Sequence, residues 1–168
     1  QLDQITRDFL DFSREANLPI LDLGSAYGVA TLAAIKQGNK VVANDLEPRH
    51  LILIAQEKSL SSDEKNRLYL NNRDIPNTLN FPENTFHAIL MHDVLHFFNP
   101  KEIESIFLKS KNWLIPGGRF YMTFMSPYHY SLEGFIDSYE QKIRSGQPWP
   151  GVIKNITASY MPTFKDKI

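Results

Sequence analysis

The stretch Ile20-Leu21-Asp22-Leu23-Gly24-Ser25-Ala26-Tyr27-Gly28, with Leu18-Pro19 before it and Val29-Ala30-Thr31-Leu32-Ala33-Ala34-Ile35 behind, decides the fold. A short apolar run, a turn of small residues and a second, helix-like apolar run read as strand, tight turn and helix. Such a turn is expected to point backbone N–H groups and the positive end of a helix dipole at one spot. Gly24 and Gly28 are expected to let the chain bend and a ligand come close to the backbone. Asp22, at the carboxyl end of the strand, sets a negative charge beside the turn. That charge conflicts with a pyrophosphate guest and suits one carrying a cationic ammonium or sulfonium.

Working outward, Lys40 to Asp45 reads as a second strand ending in an acid, and Glu47-Pro48 opens another helix, since proline is tolerated in a first turn. An acid at that point suits a ribose, whose vicinal hydroxyls can both donate to one carboxylate. Asp45 could equally cap the helix; its place about 20 residues after the glycine turn favours the ribose. Upstream, Leu2, Ile5, Phe9, Leu10 and Phe12 fall at helical spacing over residues 1–17, which reads as an amphipathic helix packed on the sheet. Ser59 to Asn66 is polar and loop-like. Arg67 to Leu70 reads as a third strand, and Phe86 to Met91 as a buried fourth. Lys101 to Trp113 is a helix with Ile103, Ile106, Phe107 and Leu108 on one side. Leu114 to Phe120 is a turn into a fifth strand, Tyr121 to Met125. Leu132 to Ile143 reads as a helix, and Val152 to Ala158 as one short further strand. The alternation predicts an α/β, doubly wound, mostly parallel sheet with its ligand at the carboxyl ends of the strands.

The turn resembles the first motif of class I S-adenosylmethionine-dependent methyltransferases, Asp/Glu-x-Gly-x-Gly-x-Gly. Asp22, Gly24 and Gly28 match it, and Ala26 stands where the middle glycine usually sits. The dinucleotide fingerprint fits worse, because its second glycine falls on Ala26 and its third small residue on Val29. Other resemblances follow in order. Asp74-Ile75 resembles the family's third-strand exit, although Asn71, Asn72 and Asp74 are also turn formers before Pro76. Phe81-Pro82-Glu83-Asn84-Thr85-Phe86 resembles its turn into the fourth strand, with His87 in place of the usual acid. His92 to Phe98 resembles its Val-Leu-His-His-type segment, and Leu114 to Phe120 its Leu-Lys-Pro-Gly-Gly turn. The resemblance, over residues 18–125, implies S-adenosyl-L-methionine as cofactor. It assigns Asp22, Gly24, Ser25, Ala26, Tyr27 and Gly28 to the cofactor turn, Asp45 to the ribose and Leu46 to the adenine face. Asp74 would receive the exocyclic amine, the Ile75 N–H would face a ring nitrogen, and His92 would touch cofactor or acceptor. In this family a leading helix often closes the pocket. Past residue 125 the resemblance fades. The expectation is one domain over 1–168, with a leading helix at 1–17, a cofactor-binding core at 18–125 and a divergent or truncated region at 126–168. That region would lack the last one or two strands of the sheet or be rearranged to bind the acceptor.

The bulk numbers narrow the classes. A net charge of −1 leaves no footprint for general nucleic-acid binding. No residue is cysteine, which excludes disulfides and thiolate chemistry and agrees with a reducing, cytoplasmic setting. No apolar run is long enough to span a bilayer, and no signal-peptide pattern opens the chain. His92-Asp93-Val94-Leu95-His96 has the outline of a zinc-protease helix, but the shorter acid and the missing third ligand argue against it, so no metal is expected. A general base is required only for a protonated acceptor, and His92 leads Asp93 and His129 as the candidate. The sequence has no Asp/Asn-Pro-Pro-Tyr/Phe motif, which argues against adenine methylation in nucleic acid. Phe97, Phe98, Tyr128, Tyr130 and Trp149 suggest a small-molecule acceptor first and a protein side chain second. A noncatalytic module is the alternative that Ala26, His87 and the incomplete tail favour, and a nicotinamide-dependent oxidoreductase is a more distant one.

Overall fold

β1 (Ile20–Leu23) is buried throughout and β4 (Phe86–Met91) at all but His87, because helices cover the sheet on both faces there. In the computed structural model, which describes residues 2–153, five strands pair in the order β3-β2-β1-β4-β5, every pair parallel. β2 is Val41–Asn44, β3 Leu68–Asn71 and β5 Leu114–Met122. The chain winds outward from β1 to β3 and then crosses back to lay β4 on the other side of β1. This reversal opens a crevice at the carboxyl ends of β1 and β4, where doubly wound sheets bind ligands. The fold is the predicted α/β, doubly wound parallel sheet.

Side chains alternate across the strands and divide the core in two. Leu21, Leu23, Ile89 and Met91 pack with Ile106 and Trp113 of α5 (Pro100–Trp113). Ile20, Ala88 and Leu90 face the other way and pack with Phe9 and Leu10 of α1 (Gln4–Ser13) and with Ala34 and Ile35 of α2 (Val29–Lys36). α3 (Pro48–Ala55) seats Leu51 and Ile54 on Ala43 of β2.

Several boundaries differ from the expectations. The leading helix is shorter than residues 1–17, because Asp3 caps its start by accepting from the Thr6 N–H at 3.0 Å. The polar stretch at 59–66 is not all loop: α4 (Ser62–Lys65) forms on a capping box, Ser61 accepting from the Glu64 N–H and Glu64 from the Ser61 N–H. On α5 the inward stripe is Ile103, Ile106, Ser110 and Trp113, and Leu108 points to solvent at 65 % exposure. β5 begins at Leu114 and ends at Met122, so it includes the glycine turn that was expected to precede it. An irregularity in the pairing between Phe86 and Ala88 of β4 absorbs that turn.

The chain forms two compact units, residues 1–124 and 125–168. In the second, a 3-10 turn at Tyr130–Phe135 runs into α6 (Ile136–Arg144), where Lys142 sits 4.8 Å over the Phe135 ring and donates to the Val152 carbonyl. The short strand expected at Val152 to Ala158 lies, from residue 154 on, outside the described residues. No helix among the described residues is long and apolar enough to cross a membrane.

Candidate cofactor site

The turn after β1 is built on two glycines at positive φ, Gly24 at 71° and Gly28 at 75°. Side chains of the protein fill the space beside both. A Cβ on Gly24 would overlap Val94, and one on Gly28 would come within 2.6 Å of Ile54 Cγ1. The glycines therefore permit close packing of the turn against Val94 and Ile54. The turn's N–H groups are committed differently from the expectation. Gly24 and Ser25 both donate to the Asn44 carbonyl, at 2.8 and 2.9 Å, and Gly28 donates to the Ser25 carbonyl. The Ala26 N–H donates to Asp45 Oδ2 at 2.7 Å. Ala26 holds φ at +44°, where a side chain costs roughly 1 kcal/mol. Four of the turn's N–H groups, those of Gly24, Ser25, Ala26 and Gly28, are thus turned toward protein acceptors.

Asp22 is buried, and Thr31 on α2 donates its hydroxyl to Asp22 Oδ2 at 2.6 Å. Loss of hydration on burial pushes its carboxyl up to about 6, against the lowering bonds from Thr31 and the attraction of His92. It faces a cavity of about 280 Å³ that Ser25, Tyr27 and Val29 also line. Leu2, Asp3 and Thr6 close the other side, so the first turn of α1 forms a wall of the site as well as packing on the sheet. Asp3 Oδ2 lies 2.8 Å from His92 Nε2. Burial opposes ionisation of Asp3, but the Thr6 hydroxyl and N–H bonds and the charge of His92 outweigh it and bring the carboxyl down to about 2.

A second cavity, of about 670 Å³, adjoins the first and shares Gly24, Ala26 and His92 with it. Asp45, Leu46, His50, Arg73, Asp74 and Ile75 form one side, and Val94, Phe97 and Phe98 the other. Asp45 is not the cap of α3, a place Glu47 takes. It accepts instead from the Ala26 and Glu47 N–H groups and from His50 Nδ1 at 3.1 Å. Asp74 accepts from the Asn77 side chain, and Asn71 Oδ1 from the Arg73 N–H at 3.0 Å, so the β3 exit is also the turn its asparagines suggested. Buried Asn44 donates to the Asn71 and Arg73 carbonyls at 3.0 and 2.8 Å and braces that exit against β2.

Of the predicted cofactor residues, all but Gly28 line one cavity or the other, and Gly24, Ala26 and His92 line both. His92 follows β4 directly, and Asp93 after it holds φ at +54°. That kink separates His92 from His96, which lies in a 3-10 turn at Leu95–Phe97, so the two histidines do not share the helix a zinc-protease motif requires. Asp93 Oδ1 accepts the Thr123 hydroxyl at 2.8 Å, and its Oδ2 is 3.5 Å from His92 Nδ1. His129 is engaged within the second unit, its Nδ1 2.7 Å from Ser131 Oγ. The sequence reading missed Asp3, Thr6, Thr31, Asn44 and His50. The spacing Asp3-x-x-Thr6 ahead of an apolar stripe is a helix-start signal that could have found the first pair. Nothing local marks the other three.

The family model described as a methyltransferase domain matches residues 20–118, more than half of the chain. Among curated proteins none matches. Solved structures share the fold. A glycopeptide N-methyltransferase, MtfA, with S-adenosyl-L-homocysteine bound is 19 % identical, with 70 % of this chain and 47 % of that one covered at a TM-score of 0.59. An S-adenosylmethionine-dependent methyltransferase from Mesorhizobium loti is 23 % identical, with 66 % and 48 % covered at 0.56. The 1,6-didemethyltoxoflavin-N1-methyltransferase of Burkholderia thailandensis is 24 % identical, with 71 % and 51 % covered at 0.55. The chain thus spans about half the length of the structures it resembles. The matched segment runs from β1 into β5 and contains every strand end that borders the two cavities, and the chain belongs to the methyltransferase domain family, in its class I, S-adenosylmethionine-dependent form.

Proposed function

We propose that this chain binds S-adenosyl-L-methionine in the paired cavities and transfers its methyl group to a small molecule. The observation that carries the reading is the buried Asp22 carboxyl, which lines the smaller cavity and has the Thr31 hydroxyl as its side-chain partner. A carboxylate held out of water calls for a cation, and the ammonium of a methionine moiety is one. The larger cavity suits a nucleoside, with carboxylates Asp45 and Asp74 on one side and apolar Leu46 and Ile75 beside them. The spent donors of the glycine turn speak against the two phosphates of a nicotinamide dinucleotide.

When bound, the cofactor supplies a methyl group already activated on a sulfonium. The protein's task is then alignment and exclusion of water. His92 stands where the two cavities meet, its Nε2 2.8 Å from Asp3 and its Nδ1 3.5 Å from Asp93, so a proton from an acceptor that enters protonated would pass to the Asp93–His92 pair. Phe97 and Phe98 give the larger cavity an apolar rim suited to a small acceptor. Its cysteine-free sequence fits a cytoplasmic enzyme.

Calorimetric titration with S-adenosylhomocysteine tests the cofactor site, with NAD as control and Asp45→Ala as second protein. The expected result is saturable binding of S-adenosylhomocysteine alone, lost in the variant. NAD binding, or no difference between the two proteins, would overturn the reading.

A further inference from the structure

Asp45 is too heavily engaged to hold a ribose diol by itself. A carboxylate offers about four lone-pair sites. In Asp45 three are used: Oδ2 accepts from the Ala26 N–H at 2.7 Å, and Oδ1 accepts from the Glu47 N–H at 2.9 Å and from His50 Nδ1 at 3.1 Å. Two of these donors are backbone groups fixed by the glycine turn and by the start of α3, so they do not swing away to make room. One acceptor position remains for two hydroxyls.

His50 is placed to supply the other. Because Nδ1 faces a carboxylate oxygen, it carries the ring's hydrogen, and in the neutral imidazole Nε2 is then an acceptor. Nε2 has no protein partner among the described residues, and His50 lines the same cavity as Asp45. Tyr27 packs against the ring at 4.8 Å between centroids and, with the Asp45 bond, fixes its orientation. We infer that the ribose diol is divided, one hydroxyl donating to Asp45 Oδ2 and the other to His50 Nε2. This makes His50 a specificity residue for a cofactor with both hydroxyls intact. It rests on the cofactor reading above.

The test is titration of the full chain with S-adenosylhomocysteine and its 2′-deoxy and 3′-deoxy analogues. Three proteins are compared: wild type, His50→Asn and His50→Gln. An asparagine amide reaches the Nδ1 position and keeps the bond to Asp45 but places nothing at Nε2. A glutamine amide reaches Nε2 and drops the bond to Asp45. In wild type each deoxy analogue is expected to bind roughly tenfold more weakly than the parent. In His50→Asn the penalty should vanish for one analogue and persist for the other, and His50→Gln should restore it, the coupling pattern of a double-mutant cycle. If wild type binds the parent and both penalties survive unchanged in His50→Asn, Asp45 holds the diol without His50 and the inference falls. Failure of wild type to bind S-adenosylhomocysteine at all would instead remove the cofactor reading and this inference with it.

Discussion

Asp22 is the residue where stability and binding pull against each other. Burial raises its carboxyl to about 6, so the folded chain holds a proton that the unfolded chain gives up near pH 4. Its stabilising contribution is complete below that pH and is lost as pH rises through about 6. Two units correspond to about 3 kcal/mol at neutral pH. Asp22→Asn keeps an oxygen to accept from Thr31 and carries no charge. By chemical denaturation it should gain up to about 3 kcal/mol over wild type at pH 7 and nothing at pH 4. An equal offset at both pH values would refute the buried charge. The same variant should bind S-adenosylhomocysteine more weakly, since a neutral amide cannot balance an ammonium. Ala26 shows the limit of reading a motif residue by residue. Alanine is visibly the smallest substitute for the family's glycine, yet its positive φ and its bond to Asp45 arise only in the folded turn.

α1 has a firm end and a light one. Its last turns are held by Phe9 and Leu10 in the core, by Gln37 donating to the Leu10 carbonyl and by Asn39 donating to the Ser13 carbonyl. At the first turn, Asp3 caps the helix and meets His92 across the smaller cavity. Asp3→Ala removes both contacts and should cost about 1 kcal/mol as a lost cap. Hydrogen exchange should speed up at residues 4–7 and stay unchanged at 10–13. Uniform acceleration along the helix would show that the core, and not Asp3, holds the first turn. Because the Asp3 carboxyl is brought down to about 2, its contribution stands above the ordinary carboxylate range and is lost only as pH falls through about 2. Helices with an apolar stripe, such as α1 and α5, or a continuous apolar run, such as α2, were legible in sequence to within a few residues. α4 was not, because four polar residues on a capping box show no periodicity at all.

At the scale of the molecule, both cavities and all five strands belong to residues 1–124. We expect a chain ending at Phe124 to fold and bind S-adenosylhomocysteine with the affinity of the full chain, checked by circular dichroism and calorimetry. A folded but non-binding product would place part of the cofactor site in residues 125–168. The sequence alone determined the order of strands and helices, the parallel sheet, the cofactor class and part of the cavity lining. The elements follow from periodicity, and the cofactor class and the lining residues from the family resemblance of the motifs at the strand ends. Only the tertiary structure decided that Val94 and Ile54 fill the space beside the two glycines and that Asn44 and Asp45 take up the donors of the turn. It likewise decided that His92 meets Asp3 and that His50 leans on Asp45. Those pairings depend on which side chains the sheet brings together from distant elements, and no local pattern encodes that packing.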